Sequence, residues 1–378
     1  MDSTLLTLGM FWRDPAPFSA GGFLGGLPEF PELRGHVLFK TSGSSGNPKW
    51  IALSKPALLA SAEAVNRHLG VTPHSCWGLA LPAHHVGGFG VAARAFAAGC
   101  AFREFGRRWD PAAFATWLAE NEVTHTSLVP AQVHDLVTAG IRTPSSLRVI
   151  VVGGGHLDAG TGQAARALGW PVLVSYGMTE AASQIATATL DSLETIYQTA
   201  PIPLLPIWQA ETSPDQRLRI SGPALFAGTL IQESHTWTFF PRLSEWHETS
   251  DLVTLENRYL TPLGRSDLRV KVLGELVDLE AIERELIDRS EGKLQPGAFV
   301  VVAIPDARAE YALVPVFDAT VNREIIDTVL SAHADRAPGF ERLLAPRMLE
   351  HFPRSPLGKP QRANITAEIL SSNQTPPP

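Results

Sequence analysis

Residues 41–49, TSGSSGNPK, constrain this chain more than any other stretch. Small residues dominate it, and it closes on Pro48 and Lys49. The apolar runs beside it, 36–40 and 50–53, read as short strands. A loop of small residues between two strands lets backbone N–H groups, hydroxyls and one ammonium close around an anion with no bulky Cβ in the way. Thr41, Ser42, Gly43, Ser44, Ser45, Gly46 and Lys49 are therefore candidate phosphate ligands. The loop is not of the Walker type, which needs four residues between its glycines and then Gly-Lys-Ser/Thr opening a helix. Here only Ser44 and Ser45 separate Gly43 from Gly46, and a strand follows. A plain surface hairpin is the competing reading of the loop by itself.

A length of 378 residues allows two or three domains, and 44% hydrophobic content is ordinary for a globular chain with a sizeable core. The net charge of −7 gives no field to attract nucleic acid or an anionic membrane, so an anionic substrate must be met by local positive charge. Cys76 and Cys100 alone make no metal site and fit a reducing cytoplasm better than a disulfide scaffold. Asp2 and the lack of a basic n-region predict no signal peptide. No apolar run approaches the roughly 18 residues that span a bilayer. We expect a soluble, cytoplasmic protein with no nucleic-acid partner and no membrane insertion. Oligomeric state stays open, a homodimer included.

The patterning predicts an α/β fold. Residues 1–35, rich in Gly, Pro and Phe, read as an extended lead-in packed on the main domain. A helix follows over 54–69, capped by Ser54 and ended by Gly70. Strands at 76–81, 101–105, 124–129, 148–152 and 172–175 then alternate with helices at 89–98, 111–121, 131–139 and 159–168. Such alternation predicts a mainly parallel sheet covered on both faces, with ligands beyond the carboxyl ends of its strands. At about 201–263 the helical signal fades into short β-prone pieces, a β-rich subdomain of a large domain spanning 1–266. Residues 267–370 read as a small C-terminal α+β domain with helices near 279–289 and 323–334. The SSNQTPPP tail, 371–378, has the composition of a disordered segment.

Further segments carry chemistry. Ser175-Tyr176-Gly177-Met178-Thr179-Glu180 follows an apolar strand. A tyrosine ring can stack on a nucleobase, a threonine hydroxyl can bond a phosphate, and a carboxylate suits Mg²⁺ alongside phosphate oxygens. Gly153-Gly154-Gly155 ends another strand and lets backbone approach a flat ring, although a triple glycine is more often a turn. Thr249-Ser250-Asp251, Gly264-Arg265-Ser266-Asp267 with Lys271 and Gly274, and the run from Pro353 through Lys359 to Arg362 complete the series.

In content and order these segments resemble the adenylate-forming enzymes: acyl- and aryl-CoA ligases, peptide-synthetase adenylation domains and luciferases. The resemblance runs from Thr41 to Arg362. It implies a small mobile lid carrying Lys359 as catalytic lysine, adenine near Gly153, Gly154 and Gly155, and nucleotide contacts from Tyr176, Gly177, Arg265 and Lys271. It also implies that Asp251 holds both ribose hydroxyls, that Asp267 is the interdomain hinge, and that Thr179 and Glu180 act at the phosphates with Glu180 on Mg²⁺. ATP, Mg²⁺ and CoA are the implied cofactor and co-substrates. Three departures stand out: Ser250 for a glycine, Leu279 for a proline and Ala281 for a glutamate.

Residues 81–88, LPAHHVGG, and the SLVPAQ run starting at Ser127 are similar to family members that act on o-succinylbenzoate in menaquinone biosynthesis. That likeness implies an acid–CoA ligase with His85 near the reacting carboxylate and Gly88 in the acyl pocket, its neighbouring glycine and itself leaving room for an aromatic ring. The acid has a second carboxylate, which must be matched once buried. Arg94, on the helix after Gly88, is the candidate. A ligase for another aryl or acyl acid, or a non-catalytic nucleotide-binding regulator on the same fold, remains as an alternative.

Overall fold

The strands predicted between 76 and 175 come together in a six-stranded sheet. Its order is Ala101–Glu104, Cys76–Leu79, His125–Leu128, Val149–Val152, Val172–Met178 and Ser183–Thr187. The first five pair in parallel and the last closes the edge antiparallel. The computed structural model describes residues 2–21, 30–42, 48–233, 236–273, 275–306, 308–356 and 358–372. Gly43, Ser44, Ser45 and Gly46 of the loop, and Gly274, lie outside the described residues.

Alternate residues of each central strand serve opposite faces, as the period-2 geometry of a strand requires. Trp77, Val149, Val151 and Leu173 pack against the helices Lys55–His68 and Val86–Ala98. Cys76, Ile150, Val152 and Val172 pack against Pro111–Glu120, Pro130–Thr138 and Ala159–Ala167. The helix starts follow from local chemistry: the side chains of Ser54, Asp110 and Asp158 each accept a first-turn N–H. From Cys76–Leu79 the chain steps outward to Ala101–Glu104 and then returns to His125–Leu128 on the other side. The order therefore reverses at Cys76–Leu79, the kind of switch point where ligands bind such sheets.

The loop strands His36–Ser42 and Pro48–Ser54 form an antiparallel hairpin in a second sheet. The β segments after residue 201 divide between this sheet and another. Gly228–Glu233 and Thr236–Pro241 join this hairpin sheet, with Gly228 paired to Ala52 and Leu230 to Trp50. The cause is apolar: Leu230 is buried with Leu33, Leu38, Trp50 and Ala52. The remaining strands, Ile202–Pro203, Gln209–Thr212, Arg217–Ser221, His247–Glu256 and Tyr259–Arg265, make a five-stranded sheet of their own.

The lead-in differs from the extended form expected. It contains a 3-10 turn at Ser3–Thr7, a short helix at Gly9–Arg13 and a second 3-10 turn at Pro31–Leu33. Leu6, Phe11 and Trp12 are buried in the main core, and the buried Lys55 ammonium donates to the carbonyls of Phe11 and Asp14. Those local turns satisfy backbone groups that an extended segment would leave to water.

Residues beyond Arg269 build the hairpin Arg269–Val272/Glu275–Asp278 and a three-stranded sheet, with helices Leu279–Arg289, Arg323–Ala334 and Arg362–Ser372. Their apolar clusters draw only on residues between Val270 and Ile369. The last helix takes in Ser371 and Ser372, which the composition of the tail assigns to disorder; residues 373–378 lie outside the described set. Among the described residues, no helix is long and apolar enough to cross a membrane.

Candidate active site

Asp251 sits where three elements meet. Tyr176, at the end of strand Val172–Met178, donates its hydroxyl to Asp251 Oδ2 at 2.5 Å. Arg265, directly across the sheet from Asp251, donates from Nη1 to Asp251 Oδ1 at 3.0 Å. Arg265 also donates to both carboxylate oxygens of Asp267, at 2.9 and 2.8 Å, and from Nη2 to Ser250 Oγ at 2.6 Å. Ser250, the departure from glycine, is thus an added acceptor for the arginine, and its carbonyl also accepts from Ser266 Oγ. Both Asp251 oxygens expected to face ribose hydroxyls are occupied by protein donors. A carboxylate has acceptor sites beyond these two, so a nucleotide can add its own bonds to the network.

The electrostatics follow from this network. Burial first, then the Asp251 charge and hydrogen bond, push the Tyr176 phenol well above its ordinary range, so it stays a donor. Hydrogen bonds from Arg265 to Asp267, with the charges of Asp251 and Asp267, hold the guanidinium protonated against burial. Burial works to raise the Asp267 carboxyl, but the hydrogen bonds and charge of Arg265 keep it below the usual range.

Glu180 lies in the 3-10 turn Thr179–Ala181, which directly follows the strand Val172–Met178 that carries Tyr176. Its Oε1 stands 3.5 Å from the Lys49 ammonium, so the last residue of the loop meets the YGMTE segment. Thr41 pairs with Lys49 across the hairpin, and its hydroxyl donates to the Lys49 carbonyl at 3.3 Å. Gly177 is required by close approach: a Cβ there would sit 1.6 Å from the Ser183 carbonyl oxygen. Gly153, Gly154 and Gly155 follow strand Val149–Val152, with Gly154 at φ +77°, a left-handed conformation suited to glycine.

Arg94 reaches the two strands that meet at the switch point. Arg94 is 2% exposed, its guanidinium 5.2 Å above the Trp77 ring and 3.2 Å from Ser127 Oγ as donor. Among the described residues no carboxylate pairs with it. Burial lowers it to about 10, which still leaves it a cation at neutral pH. His85 caps the helix Val86–Ala98 without a side-chain cap bond, and its Nε2 is buried with no partner among the described residues. Burial, aided by the neighbouring His84, lowers it to about 4, so it is neutral at pH 7. Gln184, 3% exposed on the strand paired to Gly177, has no partner for either side-chain amide atom among the described residues.

Gly88 does not make room for a ring. A Cβ there would lie 2.4 Å from the Pro82 carbonyl oxygen, so the glycine lets the helix start press on the preceding loop. Sequence reasoning did not single out Trp77, Ser127 as a donor's partner, or Gln184. A lone glutamine in the apolar run around Ile185 was the only signal for the last.

Lys359 is exposed, and its charge acts on Glu280 rather than on the Tyr176–Asp251 centre. Arg362, at the end of the same motif, is held by both oxygens of Glu283 at 2.6 and 2.9 Å. Lys271 is exposed on strand Arg269–Val272. The departures at Leu279 and Ala281 are absorbed locally: Leu279 is buried, and Asp278 caps the helix by accepting from the Ala281 N–H at 3.1 Å.

Residues 36–213 match the family model described as AMP-binding enzyme. A 2-succinylbenzoate–CoA ligase of Staphylococcus epidermidis is 26% identical over 352 residues, covering 88% of this chain and 70% of that protein. A protein of the same name from Geobacillus kaustophilus is 33% identical over 172 residues, 45% of this chain and 35% of that one. Among solved structures, the Bacillus subtilis o-succinylbenzoate CoA synthetase with its acyl-adenylate intermediate superposes with a TM-score of 0.72 at 23% identity, over 87% of this chain and 68% of that one. Residues 36–213 therefore form an AMP-binding enzyme domain, the family that the ordered motifs resemble.

Proposed function

We propose that the chain is an ATP-dependent acid–CoA ligase acting on o-succinylbenzoate in menaquinone biosynthesis, in the cytoplasm. The observation that carries the choice of acid is Arg94, a buried cation with no carboxylate partner among the described residues. A dicarboxylate supplies that partner with its distal group while its other carboxylate reacts. The curated relatives of the same name support the reading.

In the first step a carboxylate oxygen of the acid attacks the α-phosphorus of ATP, and the bond to the bridging oxygen of pyrophosphate breaks. In the second, the CoA sulfur attacks the acyl carbon and AMP leaves. Lys49 and Thr41 bind the phosphates, Tyr176 and Asp251 hold the nucleoside, and Arg265 holds Asp251 in place. His85, neutral and unpaired, orients the reacting carboxylate through its free ring nitrogen. Residues 267–370 act as the lid, turning at Asp267 to bring Lys359 to the charge that develops at the α-phosphate. One carboxylate fits Mg²⁺, which commonly takes one or two carboxylates with substrate phosphates and waters; among the described residues no cluster of three such ligands exists. Glu180, released from Lys49, would hold it, and the ion would neutralise phosphate charge.

The test is pyrophosphate release from ATP over a panel of carboxylic acids, with CoA thioester followed in parallel. o-Succinylbenzoate should give the highest kcat/KM, with AMP and pyrophosphate as products. ADP formation, or preference for benzoate, contradicts the proposal.

A further inference from the structure

His247 opens the strand His247–Glu256 that carries Asp251, outside every motif discussed above. Its ring stands edge-on to Phe226, centroids 4.9 Å apart at 75°, and its backbone pairs with Ile220. Phe226 ties this ring to the phosphate end of the site. Its N–H donates to the Glu180 carbonyl at 2.9 Å, and its own carbonyl accepts from Arg242 Nε at 2.8 Å. The charged groups that act on the imidazole are Glu180, Lys49, Arg242 and Asp251. They come from the 3-10 turn, the loop hairpin, the segment after Thr236–Pro241 and its own strand.

Packing on Phe226 does not need a histidine, since phenylalanine would fill the same place. The imidazole is half-buried, and its nitrogens make no hydrogen bond among the described residues, which leaves a ring N–H available to a ligand. Mg²⁺ takes oxygen ligands, so the ion is not what the ring awaits. The groups around it are those of the phosphate end, with Lys49 and Arg242 as cations beside the carboxylates of Glu180 and Asp251. We propose that His247 is a further phosphate-contacting residue, its ring N–H donating to the terminal phosphate oxygens of ATP and of departing pyrophosphate. The assignment rests on the ligase reading for the identity of the nucleotide.

The experiment compares binding of ATP with Mg²⁺, of AMP, and of pyrophosphate to wild type, His247→Phe and His247→Gln by calorimetry, with thermal melts as a check on folding. His247→Phe keeps the ring contact and should weaken ATP and pyrophosphate about tenfold or more, the loss expected for a charge-assisted hydrogen bond, while AMP binding is unchanged. His247→Gln, which keeps an N–H donor, should recover part of the loss. Equal weakening of ATP and AMP, or no weakening of either, overturns the proposal. The readout does not involve the acid. Wild-type protein that binds ATP yet turns over no acid contradicts the ligase reading, while the ATP-against-AMP comparison still decides His247.

Discussion

The two ends of the site answer their charges in opposite ways. At the nucleotide end Tyr176, Asp251, Arg265 and Asp267 satisfy one another, and Lys49 stands against Glu180. At the end proposed for the acid, Arg94 has a hydroxyl and an aromatic ring but no counter-charge among the described residues, where His85 Nε2 and both amide atoms of Gln184 also have no partner. The first arrangement is satisfied without ligand. The second sits on the sheet and helix Val86–Ala98, and we propose that the acid completes it. We propose that selectivity resides at the second end; unmet polar groups of this kind are tolerated where function needs them.

The largest effect should come from a residue belonging to neither end. A nucleotide end whose charges are already matched needs a cation from elsewhere for the charge that develops on the α-phosphate. Lys359→Ala should slow adenylation by about 10²–10³, yet spare thioester formation from supplied acyl-adenylate, since only one transition state uses it. Each half-reaction measured separately checks this. Equal losses in both would make Lys359 structural and remove the lid from the account.

Asp251→Asn should disturb the matched end next. Tyr176 and Arg265 lose their charged acceptor, so the fold should weaken by about 1–3 kcal/mol and the KM for ATP should rise. The preference among acids should not move. Thermal melts and a two-substrate kinetic analysis read these quantities. A shift in acid preference would mean that the two ends are coupled.

Gln184→Leu is the smallest expected effect and the opposite in sign. Neither amide atom has a bond to lose, so the substitution should be neutral or stabilise by about 1 kcal/mol, while use of the acid declines. Destabilisation as large as that of Asp251→Asn would show that the amide is satisfied and erase the contrast.

Much of this was legible in the sequence. Strand–helix alternation, with a cap at Ser54 and prolines in the first helical turns at Pro56 and Pro111, foretold the parallel sheet because local signals and the tertiary arrangement agree there. The β segments after 201 were visible as strands, but not which sheet each would join. That depends on long-range burial of Leu230 against Trp50, which no local pattern encodes. Lys49, Tyr176, Glu180, Asp251 and Arg265 could be named from motif order, and Arg94 from chemistry. Its burial, the Ser127 contact and the bonds already made by Asp251 could not be, because they depend on how separate strands are set side by side. Gly88 illustrates the limit: its type was readable, but its reason was the Pro82 carbonyl.

The most direct measurement of the account is a cycle between Arg94 and the distal carboxylate of the acid. kcat/KM is determined for o-succinylbenzoate and for an analogue lacking the distal carboxylate, with wild type and with Arg94→Met. An unpaired buried charge costs on the order of 3–5 kcal/mol, so wild type should favour the diacid roughly a hundredfold or more. In Arg94→Met that preference should collapse, with the KM for ATP unchanged and thermal stability equal or higher. An undiminished preference for the diacid in Arg94→Met would contradict the assignment of the acid end.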